Sequence, residues 1–139
     1  CVMALVCIGM LLVSCGSKRL DNPKAQFIRD FGLNIEKKDC VLEELFNNYE
    51  GVPYEGIALY KLTVGEDVRQ AFLQWERFPF SEEVENFLES LSAYAELPSI
   101  ADGYWKMVDR NPGTSAYTNV SLCVYDGATG AAYLLTMDI

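Results

Sequence analysis

Apolar positions change their rhythm three times along this chain, and each rhythm predicts a different kind of element. Residues 1–14 are uncharged and almost wholly apolar. The middle of the chain carries helical spacing. Asn22-Pro23 gives a helix start, and Ala25, Phe27, Ile28 and Phe31 continue it to Gly32. Val68, Ala71, Phe72 and Trp75 fall at i, i+3, i+4 and i+7, the face of a second helix, which Pro79 interrupts. Ser81 caps a third, with Glu82 and Glu83 in its first turn and Val84, Phe87, Leu88 and Leu91 as its apolar stripe.

Strand patterns surround these helices. Cys40–Phe46 reads as a strand, although its spacing also suits a helix, and the turn-rich segment Asn47–Gly56 joins it to Ile57–Val64. In the latter, Ile57, Leu59 and Lys61 share one face and Ala58, Tyr60 and Leu62 the other. The last third alternates with a period of two over Gly103–Arg110, Thr118–Tyr125 and Ala131–Met137. Asp126-Gly127-Ala128-Thr129-Gly130 is a hairpin turn whose glycines supply positive φ. The expectation is an α+β domain, in element order α-β-β-α-α-β-β-β, with an antiparallel sheet of about five strands, helices on one face and an apolar signal helix in front.

The apolar run ends in Leu12-Val13-Ser14-Cys15, the pattern of a lipoprotein signal cut before a cysteine that receives diacylglycerol. A 14-residue helix spans roughly 21 Å, short of the ~30 Å hydrocarbon core, whereas a signal hydrophobic region runs about 7–15 residues. An ordinary secretory signal or a short buried helix would use the same residues, but Leu12 three places before Cys15 and the small Ser14 beside it favour lipidation. No initiator Met or basic leader precedes Cys1, so the run reads as lacking its first residues. The organisation expected is a signal over 1–14, a lipidated Cys15 with a polar tether over 15–24, and one globular domain over 25–139. Two acyl chains hold a protein stably at a bilayer where one is marginal. The expected location is the extracytoplasmic face of the cell membrane, with the bilayer itself as a partner.

Charge narrows the other partners. Eleven basic and twenty acidic residues leave a net charge of −9, which repels nucleic acid and favours a basic protein or ligand. The same acidity also suits plain solubility of a tethered domain. The chain has no histidine and no Cys-x-x-Cys pair, so the usual zinc ligands and Ser-His or Cys-His catalytic pairs are absent. No cofactor and no metal are expected. Cys40 and Cys123 lie in apolar stretches, which leaves open either a disulfide or two buried thiols.

Gly103-Tyr104-Trp105 with Asp109-Arg110, Asn119–Asp126, and Tyr133–Asp138 resemble a group of small uncharacterised bacterial proteins, many of them lipoproteins of Gram-positive bacteria. Trp75–Phe80 is similar to their segment between two helices. The resemblance implies a fold and carries no activity. Where those proteins commonly have a histidine- and glycine-rich loop, this chain has Tyr49-Glu50-Gly51-Val52-Pro53-Tyr54-Glu55-Gly56. Tyr49, Glu50, Tyr54 and Glu55 are the candidate binding loop for a basic or hydroxylated ligand, and Tyr54, Tyr104 and Tyr117 a candidate aromatic patch. The function expected is a binding or interaction module, with an acidic inhibitor or immunity-type protein as the alternative. A hydrolase built on two of Glu50, Glu55, Asp109 and Asp126 would need carboxyl groups about 5–9.5 Å apart.

Overall fold

The computed structural model describes residues 23–35, 39–50, 55–113 and 116–139. The expected signal over 1–14, Cys15, most of the tether, and Tyr54 lie outside the described residues. The elements are α1 (Pro23–Phe31), β1 (Val41–Asn47), β2 (Gly56–Thr63), α2 (Glu66–Phe72), β3 (Glu76–Arg77), α3 (Glu82–Leu91), β4 (Gly103–Asp109), β5 (Asn119–Asp126) and β6 (Ala131–Asp138). All strands join one antiparallel sheet in the order β1-β2-β6-β5-β4-β3. An N-terminal hairpin thus adds its second strand to the free edge of a C-terminal meander.

Three expectations are corrected. Among the described residues the sheet has six strands, not about five. The extra one, β3, is a pair of exposed charged residues, Glu76 and Arg77, held by pairing with Trp105 and Tyr104. Two residues of that composition carry no periodic signal, so the order becomes α-β-β-α-β-α-β-β-β.

The helices also cover both faces of the sheet instead of one. Every residue from Val120 to Asp126 in β5 and from Ala131 to Met137 in β6 is buried. Strands apolar on both sides need a cover on each. On one face, Phe27 and Phe31 of α1 and Val68 and Phe72 of α2 pack on Ala58, Tyr60, Leu62, Cys123, Tyr125 and Leu134. On the other, Val84, Phe87 and Leu91 of α3 pack on Ile57, Leu59, Leu122, Val124, Leu135 and Met137.

The β5–β6 turn is the third correction, because only Gly130 takes a positive φ there, at +72°. Asp126 does the rest, its carboxylate accepting from the Ala128 amide at 2.9 Å and from the Thr129 hydroxyl at 2.8 Å.

Local chemistry explains the helix ends. α1 stops at Gly32, whose φ is +68°. Ser81 Oγ accepts the Val84 amide at 3.3 Å, the expected cap of α3. α2 ends before Trp75, which lies edge-on to Phe72 at 4.9 Å and 5.6 Å from Phe31, so the indole joins α1 to α2. Cys40 and Cys123 are free and buried, and burial pushes the Cys123 thiol well above 9.0. The β1 edge is open to solvent, and its Glu43 and Glu44 and the bulge between Glu44 and Phe46 discourage pairing with another strand.

Phe72 is fully buried and stacked on Tyr125 at 4.5 Å with an interplanar angle of 5°. Phe72→Ala is expected to cost about 3–5 kcal/mol in urea unfolding. Leu73→Ala, one residue on and half exposed, should stay within about 0.5 kcal/mol.

Candidate functional site

The end of the sheet where β2 begins and β6 finishes carries two polar features, one on each face. On the α3 face an open groove of about 1040 Å³ runs between the helix and the strand ends. Ile57, Phe87, Leu91 and Met137 make its apolar part, Asn48, Asn86 and Ser90 contribute amides and a hydroxyl, and Tyr94 and Tyr117 rise at its sides. Its charged lining residues are Glu50 and Glu55, both acidic.

Strand geometry brings these two carboxylates together. Beyond β1 and β2 the pairing continues as a single antiparallel bridge, with the Glu50 amide donating to the Glu55 carbonyl at 3.1 Å and the Glu55 amide returning the bond at 3.2 Å. Residues that exchange both bonds project side chains to the same face from Cα atoms about 5.5 Å apart. Like charges directly opposite each other repel. Among the described residues neither carboxylate has a basic partner.

Tyr117 closes one side. Its ring lies 5.8 Å from Phe87 at 71°, and its hydroxyl donates to Glu83 on α3. That bond, with desolvation and the charges of Glu83 and Asp109, pushes the phenol up to about 12.

The opposite face holds a buried polar knot. The side chain of Arg110, 18% exposed, donates to Asp30 at 3.2 Å, to Asp138, to Ser121, and to the Met137 carbonyl at 3.2 Å. Gln26 Nε2 donates to Ser121 Oγ at 2.8 Å and to Thr136 Oγ1 at 2.7 Å, and Ser121 Oγ donates to Asp30 at 2.7 Å. The Tyr49 hydroxyl donates to the second oxygen of Asp138 at 2.8 Å. Burial on its own would raise the Asp30 carboxyl. The hydrogen bonds from Arg29 and Ser121 and the charges of Arg29 and Arg110 outweigh it and hold the group below 3.8. Tyr49 is pushed well up from 10.0, by burial first and then by the Asp138 carboxylate.

These placements sort the candidate residues. Glu50 and Glu55 meet at the groove, as does Tyr117. Tyr49 points the other way, buried against the knot. Tyr104 packs on the α1 and α2 face and so shares no patch with Tyr117. Asp126 is buried in the β5–β6 turn at the far end of the sheet, and Asp109 accepts the Asn111 amide at 2.9 Å. Of the four carboxylates considered for hydrolysis, the groove takes in only Glu50 and Glu55.

The α3 side of the groove and the entire knot were missed from sequence. Asn86 and Ser90 on α3 and Tyr94 in the turn beyond it are ordinary exposed positions until the sheet end beneath them is known. Ser121 and Thr136 did carry a signal, as hydroxyls at inward positions of strands that are otherwise apolar. No family model, curated protein or solved structure matches the chain. No helix among the described residues is long and apolar enough to cross a membrane.

Two outcomes test the knot. Arg110→Met removes one of the two cations that pair with Asp30, whose side chain is 4% exposed, and leaves Arg29 as the other, so it should cost about 1.5–3 kcal/mol by denaturant unfolding, the weight of hydrogen bonds to charged groups. Because the folded value of Asp30 is depressed, its stabilisation is present above the unfolded value near 3.8 and is lost as pH falls through the folded one. The stability gap between wild type and Asp30→Asn should therefore hold at neutral pH and narrow below pH 3.8. A gap that does not change with pH would contradict the ionic account.

Proposed function

We propose that this chain is a membrane-anchored extracytoplasmic lipoprotein whose folded domain is a non-catalytic binding module, with the groove beside α3 as its binding site. The observation that carries the reading is the pairing of an open apolar groove with two like-charged carboxylates lacking any basic partner among the described residues. The repulsive charge pair detracts from folding and is relieved by a cationic ligand, and Tyr94, 58% exposed beside the groove, leaves aromatic surface for that ligand to cover. The anchor rests on Leu12-Val13-Ser14-Cys15 and on the resemblance to small bacterial lipoproteins.

Ser90→Trp, at an exposed α3 position lining the groove, fills the recess from outside the core. Cross-linking of the full chain in its own membranes should lose its partners on Ser90→Trp. Unchanged partners would remove the groove as the site. For the anchor, Cys15→Ala should move the protein from the membrane fraction to the medium, and persistence in the membrane would discard lipidation.

A second reading, an acidic inhibitor or immunity-type protein, is supported by the exposed carboxylates Glu82, Glu83, Glu85 and Glu89 along α3. It puts the interface on the outer helix surface. Partner capture would then fall when Glu82, Glu85 and Glu89 are changed to Gln and would survive Ser90→Trp.

A further inference from the structure

Resting on the reading of the groove as the binding site, the geometry points to its occupant: an extended peptide segment of a partner protein, with an arginine between Glu50 and Glu55 and neighbouring apolar side chains against Tyr94 and Tyr117, over the buried Ile57, Phe87, Leu91 and Met137. The dimensions favour a peptide. The lining follows α3 from Asn86 to Leu91, about 7.5 Å of helix at 1.5 Å per residue, and continues to Tyr94 in the turn beyond, and an extended chain spans the helical part with about two to three residues. The volume of about 1040 Å³ is at the upper end for a small-molecule pocket, and the recess is open along its length instead of closed around a ligand.

Charge chooses the side chain. The two carboxylates stand side by side on one face of a strand pair, and a planar guanidinium with donors on both edges can serve both at once. A lysine ammonium is a compact point charge and matches this span less well. The amides of Asn48 and Asn86 and the Ser90 hydroxyl lie along the same groove, where a peptide backbone would pass, although Ser90 Oγ already donates to the Phe87 carbonyl at 2.6 Å. The net charge of −9 speeds encounter with a basic segment.

The test titrates the full chain with two synthetic peptides, acetyl-Leu-Arg-Leu-Phe-amide and the same peptide with citrulline, a neutral near-isostere, in place of arginine. Binding is followed by amide chemical shifts. The arginine peptide should give saturable shifts at Ile57, Phe87 and Met137. Citrulline should weaken binding by about tenfold or more, the weight of a charge-assisted hydrogen bond, and Glu50→Gln with Glu55→Gln should weaken the arginine peptide by a similar factor. Equal binding of the two peptides overturns the inference, and so does the absence of saturable shifts at the groove. If it falls while Ser90→Trp still abolishes partner capture, the groove remains the site for a ligand of other chemistry. If Ser90→Trp also leaves capture intact, the underlying reading falls with it.

Discussion

The partly buried guanidinium of Arg110 is the point on which the arrangement of this molecule turns. It lies just past the end of β4 and reaches Asp30 on α1, Ser121 on β5, and Met137 and Asp138 on β6. Taking one such ion from water costs several kcal/mol even after relaxation, so the cluster contributes little net stability compared with an apolar core of the same volume. Its contribution is position. Phe27 and Phe31 would pack against the sheet in several neighbouring registers, because apolar contact has no direction. Gln26 and Asp30, one helical turn apart, meet Ser121, Thr136 and Arg110 in only one of them.

The knot reaches the groove through alternation along the chain. Asp138, held by Arg110, accepts the Tyr49 hydroxyl on the α1 face. Tyr49 and Glu50 are consecutive in extended chain, so fixing one side chain to one face aims the next at the other. Gly56, opposite Asp138 in the β2–β6 register, lets this happen, since a Cβ there would come within 2.5 Å of the Tyr49 backbone. The bridge that sets Glu50 beside Glu55 is therefore supported from beneath by a polar network on the opposite side of the sheet.

Much of the fold was legible in the sequence because it depends on period. Ile57, Leu59 and Lys61 against Ala58, Tyr60 and Leu62, the Ser81 cap, and the stripe of Val84, Phe87 and Leu91 are local patterns, and each kept its meaning in the folded chain. Glu76 and Arg77 were lost because two charged residues have no period, and they become a strand only where β4 offers an edge. A strand period does not say how many faces are covered; the nearly unbroken apolar run Ala131–Met137, interrupted by Thr136 alone, is the local sign that β6 is buried on both sides and needs helices on each. Glu50 and Glu55 were legible as a pair, since a short turn-rich connection must bring its ends together. The knot was not. It joins Asp30 to Ser121 across 91 positions of sequence, and no spacing rule spans that distance.

The groove exists because α3 is shorter than the face it covers. Ten residues at about 1.5 Å each give roughly 15 Å of helix, and the coil that follows packs Ala95, Leu97 and Ile100 on the same face while Tyr94 stands 58% exposed beside the groove. A further apolar side chain from α3 could have closed the recess, but Asn86 and Ser90 occupy the helix positions that overlook it. Stability by itself favours filling such a gap and separating like charges. This chain does neither at the one place where a buried polar network holds the backbone in register. A site that is preorganised and left incomplete loses less ordering entropy when a ligand completes it, which is the physical reason to look for function at this end of the sheet.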